Sequence, residues 1–161
     1  PYKVVANVPY YITGAILRHL LSAKQKPTCL VMTVQKEVAE RITAVPPKMS
    51  LMAVSTQLYG EAEIINSIKA GAFWPRPDVD SAVIRLQLYA EPLLPFAQEE
   101  AFFKLVRAGF SQKRKQLKNN LQQLGYNQAE ISAKLDTAAV DGRRRAETLT
   151  LSEWITLFQS L

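Results

Sequence analysis

The chain opens with the stretch Val4-Val5-Ala6-Asn7-Val8-Pro9-Tyr10, in which an apolar run is followed at once by a polar residue, a proline and an aromatic ring. An apolar run that stops in this way is typical of a β-strand ending at the rim of a site. We therefore predict a strand over residues 3–6 and treat the four residues after it as candidate site residues.

Three of these residues offer different chemical groups. Asn7 carries a side-chain carbonyl, Tyr10 carries a flat π face, and the proline after Val8 fixes the backbone and leaves the Val8 carbonyl free. Two acceptors can hold the hydrogens of an exocyclic amine and direct its lone pair toward an electrophile, while an aromatic ring stacks on the base. The residue types therefore favour methylation of an amino group on a nucleobase. A simple turn is the alternative interpretation of so short a motif.

Strand and helix patterns alternate after this motif. Helical spacing predicts a helix over residues 13–21, and a continuous apolar run predicts a strand over residues 29–34 that is covered on both faces. With a helix predicted over residues 36–43, the alternation indicates a parallel sheet. The remaining elements expected in this half are a helix over residues 50–59 with Ser50 as N-cap, and strands over residues 62–68 and 82–88.

The pattern changes at Pro92 and Pro95, which mark a linker. Beyond them apolar residues recur at helical spacing. Helices are predicted over residues 99–110, 114–124, 128–135 and 153–159, with Gly125 stopping the second and Ser152 capping the last. The predicted core of this bundle is Leu149, Leu151, Trp154, Ile155 and Phe158. We therefore expect an α/β domain in residues 1–91 and a small all-α domain in residues 92–161.

A stiff loop is predicted between the last two strands. The run Phe73-Trp74-Pro75-Arg76-Pro77 contains two prolines close together, which excludes regular structure. We expect exposed aromatic residues on this loop, and we expect Asp80 and Ser81 to fix it by local hydrogen bonds. Anchoring of the loop to the core is the alternative role of the two aromatic residues, and we favour it for Trp74.

Composition and charge indicate a globular chain that binds a polyanion. The chain has 161 residues, 48% of them hydrophobic, and a formal net charge of +6; this favours RNA as a partner. The excess of positive charge is concentrated in two stretches that we predict to bind RNA. The first comprises Lys113, Arg114, Lys115 and Lys118, and the second comprises Arg143, Arg144 and Arg145. A solvated helix face with a basic turn is the alternative interpretation.

Other classes of protein are disfavoured. No apolar run approaches the roughly 18 residues that span a bilayer. Cys29 is the single cysteine and lies in an apolar run, so we predict a buried thiol rather than a disulfide. Without a Cys/His cluster we expect no metal site, and we do not expect His19, the single histidine, to be catalytic.

Four segments, in order along the chain, closely resemble the KsgA-type ribosomal RNA adenine dimethyltransferases. They are residues 7–13 (NVPYYIT), 35–41 (QKEVAER), 73–81 (FWPRPDVDS) and 110–115 (FSQKRK). Val8 stands where that family more often has Leu, a difference of one methylene. The resemblance implies the C-terminal half of a Rossmann-like, S-adenosylmethionine-dependent methyltransferase domain followed by a small all-α domain that docks RNA.

The resemblance also implies an activity. The parent enzyme would dimethylate adjacent adenines of small-subunit ribosomal RNA by direct in-line transfer from S-adenosylmethionine, after the adenine is flipped from its stack. Asn7, Pro9 and Tyr10 would act at the adenine, with Phe73 on the face opposite Tyr10. Asn7 and Val8 would also face the cofactor. Such an enzyme would be a cytoplasmic monomer that binds the small ribosomal subunit and needs neither a membrane nor a metal.

Members of that family begin with a strand, a Gly-rich loop and a helix that bind the cofactor, and no such loop is found in this sequence. We expect roughly the first third of the parent enzyme, with most of the cofactor site, to precede Pro1. The chain alone would then be inactive and prone to self-associate through exposed edges. The alternatives are a non-catalytic RNA- or ribosome-binding module, a transcription factor, and a resistance methyltransferase acting on large-subunit RNA.

Overall fold

The computed structural model describes residues 1–161. The strands are β1 (Lys3–Asn7), β2 (Cys29–Gln35), β3 (Gly60–Ile68) and β4 (Ser81–Leu88). The helices are α1 (Thr13–Leu21), α2 (Lys36–Ile42), α3 (Leu51–Gln57), α4 (Phe96–Gly109), α5 (Leu117–Leu121), α6 (Gln128–Thr137) and α7 (Leu151–Gln159). Short 3₁₀ helices cover Tyr10–Ile12, Ala70–Ala72, Gln122–Leu124 and Ala146–Thr148. No helix combines the length and the apolar character needed to cross a membrane.

The four strands form one sheet in the order β1-β2-β4-β3. β1 pairs with β2 in parallel, whereas β4 runs antiparallel to both β2 and β3. The parallel pairing predicted from the strand–helix alternation is confirmed for β1 and β2, but it does not extend to β4. The loop 69–80 joins β3 to its neighbour β4 with only a short 3₁₀ helix, whereas parallel neighbours are usually joined through a crossover α-helix.

The antiparallel insertion of β4 decides which residues meet at one edge of the sheet. Asn7, at the end of β1, pairs with Thr33 near the end of β2. Ser81, at the start of β4, pairs with Gln35 at the end of β2 and with Ile68 at the end of β3. The carboxyl ends of β1, β2 and β3 and the amino end of β4 therefore lie at the same edge.

Alternate residues of the two central strands form the core of this sheet. Leu30, Met32 and Val34 of β2 are fully buried, as are Ile84 and Leu86 of β4. The alternation predicted for β4 is confirmed. Within this chain the opposite face of β2 is half-buried, so the predicted cover is complete on one face and partial on the other. The Cys29 thiol on that face is free and half-buried rather than fully buried.

The chain divides into two compact units. The first contains the sheet and comprises Pro1–Thr43 and Thr56–Leu93, and the second comprises Ala44–Ser55 and Leu94–Leu161. The second unit is entirely helical apart from its loops. Our division of functional domains at residues 91 and 92 stays a prediction. It did not anticipate that the segment Ala44–Ser55, which follows α2, packs with the later helices.

Aromatic and leucine side chains fill the core of the second unit. Trp154, Leu149 and Leu157 are fully buried, and the Trp154 ring stacks on Phe110 with centroids 5.6 Å apart. The predicted core is confirmed for Leu149 and Trp154, whereas the other three predicted core residues are half-buried.

Three predicted helix starts are wrong, and the first of these helices begins at Phe96 rather than at residue 99. The helix expected from residue 114 begins at Leu117, because the buried Asn120 amide donates to the Gly109 carbonyl (2.6 Å) and holds the preceding residues in a turn. The last helix is capped by Thr150 rather than Ser152. The Thr150 hydroxyl accepts from the Glu153 amide, and the Glu153 carboxylate accepts from the Thr150 amide, which completes a capping box.

Gly109 provides a test of this core. A Cβ atom at residue 109 would overlap the ring of the buried Trp154 and lie 3.2 Å from Leu117 Cδ1. We expect Gly109→Ala to lower the free energy of unfolding by about 1–3 kcal/mol, as overpacking of a core does, although alanine is the better helix former. Gly14→Ala is the matched control, because a Cβ in that helix meets nothing within 4 Å. Chemical denaturation of both variants measures the difference, and equal effects would contradict the packing.

Candidate functional site

The first candidate residues lie at the carboxyl end of β1. Asn7 ends the strand with its side chain exposed, and Val8 is half-buried. The Pro9 carbonyl accepts a hydrogen bond from the Ile12 amide at 3.2 Å, which starts the 3₁₀ helix Tyr10–Ile12. The Val8 carbonyl accepts no such backbone hydrogen bond. The Asn7 side chain and the Val8 carbonyl therefore remain available as acceptors at the sheet edge.

A side-chain hydrogen bond fixes the position of Tyr10. The Tyr10 phenol bonds the hydroxyl of Ser81. Ser81 is fully buried, and its backbone is held between β2 and β3 at the start of β4. The half-buried Tyr10 ring is thus tethered to the centre of the sheet, although residues 10 and 81 are far apart in sequence.

Asp80 fixes the loop between β3 and β4. Its carboxylate accepts from the Ala70 amide at 2.9 Å and from the Lys69 ammonium at 2.9 Å, and its carbonyl accepts from the Lys36 amide at 3.0 Å. The hydrogen bond from Lys69, followed by the bond from Ala70, holds the pKa of Asp80 below its ordinary value. The loop-fixing role predicted for Asp80 is therefore confirmed, whereas the Ser81 hydroxyl bonds the distant Tyr10 rather than the loop.

The two aromatic residues of this loop differ in exposure. Phe73 is half-buried and follows the 3₁₀ helix Ala70–Ala72, with its amide donating to the Ala70 carbonyl at 3.2 Å. The side chain of Trp74 is 98% exposed. The favoured interpretation of Trp74 as an anchor to the core is therefore wrong, because an anchor must be buried.

A shallow cleft lies beside this loop. Its volume is about 530 Å³, and it is lined by Gln35, Lys36, Glu37, Glu40, Asp78, Val79 and Asp80. Its carboxylates would repel a polyanion, and the cleft contains neither Asn7 nor Tyr10. No group of three or more His, Cys, Asp and Glu residues could hold a metal ion. His19 is exposed on α1.

In the second unit, the two basic stretches lie side by side. The Leu117 amide donates to the Arg144 carbonyl at 2.8 Å, and the Lys118 amide donates to the Gly142 carbonyl at 3.0 Å. These bonds join the start of α5 to the loop 141–145. We call the resulting surface the basic surface; it is formed by Lys113, Arg114, Lys115, Lys118, Arg143 and Arg145.

A buried amide orders the loop that carries half of this surface. Asn120 is 1% exposed and donates to the carbonyls of Gly109 (2.6 Å) and Gln112 (3.1 Å). The Lys115 amide also donates to the Gln112 carbonyl at 3.0 Å. Because these bonds fix the backbone, the exposed lysine and arginine side chains of residues 113–115 project from an ordered turn. No local pattern in the sequence predicts this role of Asn120.

The three consecutive arginines have different surroundings. Arg144 is half-buried and donates to Thr148 and to the Glu153 carboxylate. The hydrogen bond between Arg144 and Glu153 lowers the pKa of Glu153 and raises the pKa of Arg144. Arg143 pairs with Asp141 at 3.2 Å on the surface. Arg145 is exposed. The guanidinium of Arg144 is thus already bound within the protein, so we leave it out of the basic surface.

Comparison with known sequences identifies the family. The family model described as ribosomal RNA adenine dimethylase matches residues 1–161. The ribosomal RNA small subunit methyltransferase A of Dehalococcoides mccartyi strain CBDB1 is 46% identical over 155 residues, which are 96% of this chain and 53% of that protein. The protein of the same name from Moorella thermoacetica is 40% identical over 162 residues, 99% of this chain and 56% of that protein. The chain spans about half the length of these relatives.

Comparison with solved structures supports the fold. The 23S rRNA methyltransferase ErmE matches with a TM-score of 0.76 and 31% identity, over 100% of this chain and 66% of that one. A dimethyladenosine transferase from Plasmodium falciparum matches with a TM-score of 0.83 and 21% identity, over 97% of this chain and 65% of that one. The expected Rossmann-like α/β methyltransferase fold is confirmed. With the family model covering the whole sequence, this chain belongs to the ribosomal RNA adenine dimethylase family.

Proposed function

We propose that the whole protein methylates the exocyclic amino group of adenines in ribosomal RNA, and that this chain supplies the side of the active site that holds the adenine. The observation that carries the proposal is the Tyr10–Ser81 hydrogen bond, because it tethers the Asn7 motif to the strand that follows the Phe73 loop. An aromatic ring and two free acceptors meet at one sheet edge, where open α/β sheets bind their ligands.

The proposed roles follow from the groups that remain available. The Asn7 side-chain carbonyl and the Val8 carbonyl accept the two amino hydrogens, so that the nitrogen lone pair points away from the base. Tyr10 stacks on one face of the adenine, and Phe73 stacks on the other. Pro9 acts through the backbone, since its own carbonyl already accepts from Ile12. Positioning of the amine carries most of the rate.

The donor set at the end of β1 fits S-adenosylmethionine. Asn7 is an exposed amide at the carboxyl end of a parallel strand, and Val8 adds a backbone carbonyl beside it. When bound, S-adenosylmethionine supplies an electrophilic methyl group. We propose that Asn7 and Val8 face it and that most of its site lies in a segment preceding this chain.

For the RNA, we propose the small-subunit ribosomal RNA. The relatives that are 40% and 46% identical carry a small-subunit name, whereas ErmE, named for 23S rRNA, is 31% identical. The basic surface, with Arg144 as its internal support, contacts the RNA backbone. The site of action would be the cytoplasm, where the small subunit is assembled. A purely RNA-binding module would not need the free acceptors at residues 7 and 8.

Asn7→Ala tests the proposed role of Asn7. We expect turnover of the full-length protein to fall about 100-fold or more, because the amine loses one of its two positioning acceptors. The dissociation constant for the RNA should change little. Single-turnover methyl transfer followed by mass analysis of the nucleosides measures the first quantity, and filter binding measures the second. Asn66→Ala, at an exposed asparagine of β3, is the control. Comparable losses of turnover and affinity would sink this assignment.

Ser81→Ala tests the tether. Removal of the Ser81 hydroxyl should lower turnover about tenfold, as expected for one lost hydrogen bond that orients a stacking ring, without weakening RNA binding. Tyr10→Phe should have a similar effect, and the double variant should lose no more than either single variant. Ser67→Ala, at an exposed serine of β3, is the control. Additive losses in the double variant would show that the two hydroxyls act separately.

The basic surface is tested by replacing Lys113, Arg114 and Lys115 together with Gln. We expect weaker RNA binding and a salt dependence of log Kd whose slope is smaller by about two to three, because each phosphate contact contributes roughly 0.7–0.9. Turnover at saturating RNA should be retained. The charge-matched control replaces Arg18, Lys24 and Lys104, which are exposed outside the basic surface. An equal change of slope in both triple variants would contradict a localised RNA surface.

A further inference from the structure

Trp74 presents its indole to solvent at the tip of the loop 69–80. Its side chain is 98% exposed, whereas Trp154, the other tryptophan, is fully buried. Trp74 forms no aromatic or cation–π contact with the rest of the chain. A fully exposed indole contributes nothing to the core, and its large apolar surface is suited to a partner that stacks on it.

The backbone of the loop that carries this indole is restrained. Pro75 and Pro77 restrict the backbone after Trp74, and the Asp80 carboxylate ties the loop back to Lys69 and Ala70. A loop with a restrained backbone loses less conformational freedom when its aromatic ring binds a partner, which favours a stacking contact. We call the Trp74 indole on this loop the platform.

The charges and neighbours of Trp74 indicate what the platform binds. Arg76 is an exposed cation on the same loop, whereas the exposed Lys69 already pairs with Asp80. Phe73 precedes Trp74 in the chain, and Ser81, just after the loop, bonds the Tyr10 phenol. The platform is thus continuous with the proposed adenine site, and an exposed ring beside that site suits stacking on a base of single-stranded nucleic acid.

We propose that Trp74 stacks on the base of an unpaired nucleotide next to the target adenine, with Arg76 near the phosphate of that nucleotide. This inference rests on the proposed function and extends it to substrate choice. A strand whose neighbouring base is paired in a duplex cannot offer that base to Trp74. The platform therefore selects adenines that lie in unpaired RNA.

Binding of this chain to short RNAs tests the platform. The probe is a single-stranded oligoribonucleotide with two adjacent adenines, and matched probes carry an abasic nucleotide on either side of them. We expect Trp74→Ala to raise the Kd for the intact probe about tenfold, and Trp74→Phe, which keeps a stacking face, to raise it far less. On the probe that lacks the stacked base, Trp74→Ala should have little effect. Phe96→Ala, at an exposed aromatic residue of α4, is the control and should bind like the parent chain.

Intrinsic fluorescence provides a second measurement. Stacking on a base should quench the exposed Trp74, and the emission change should be absent in Trp74→Phe. The buried Trp154 reports in every variant whether the helical unit remains folded.

An unchanged Kd in Trp74→Ala, or an equal loss on intact and abasic probes, would overturn the platform. If the platform is overturned but Asn7→Ala still lowers turnover of the full-length enzyme, the proposed function stands and only the role of Trp74 is lost. Absence of RNA binding by the parent chain would overturn both. If Trp74→Ala weakened binding to small ribosomal subunits but not to the oligonucleotide, Trp74 would contact a ribosomal protein rather than RNA. That result would also overturn the inference.

Discussion

The hydrogen bond between Tyr10 and Ser81 is the interaction on which the proposed site depends. It joins the segment after β1 to the first residue of β4, which is itself held between β2 and β3. Because Ser81 is fully buried and paired on both sides, the tether is anchored in the packed interior of this unit. The Tyr10 ring takes its position from this anchor, and the acceptors of Asn7 and Val8 precede it by only a few residues.

The direction of β4 makes that tether possible. Since β4 runs antiparallel between β2 and β3, its first residue meets the carboxyl ends of its neighbours. A parallel β4 would place Ser81 at the opposite edge, away from Tyr10. The same reversal brings the loop that carries Phe73 and Trp74 to the edge where β1 ends. The antiparallel direction of β4 therefore brings the Tyr10 ring, the acceptors of Asn7 and Val8, and the loop 69–80 to the same edge of the sheet.

Local patterns predicted much of this fold and little of its tertiary detail. The helix Thr13–Leu21 and the alternation along β4 were predictable, because both follow from periodicity within one segment. The direction of β4 depends on pairing between distant segments, and the turn before Leu117 depends on the buried Asn120. The anchoring role favoured for Trp74 is wrong because large aromatic side chains are usually buried, whereas this one is 98% exposed.

We infer that this chain holds the adenine and that a preceding segment of the protein supplies most of the S-adenosylmethionine site. Calorimetric titration of S-adenosylmethionine into this chain and into the protein extended upstream separates this arrangement from a cofactor site within the chain. We expect binding by the longer protein and no measurable binding by this chain alone. Equal affinity in both would contradict this arrangement, because the cofactor site would then lie within residues 1–161.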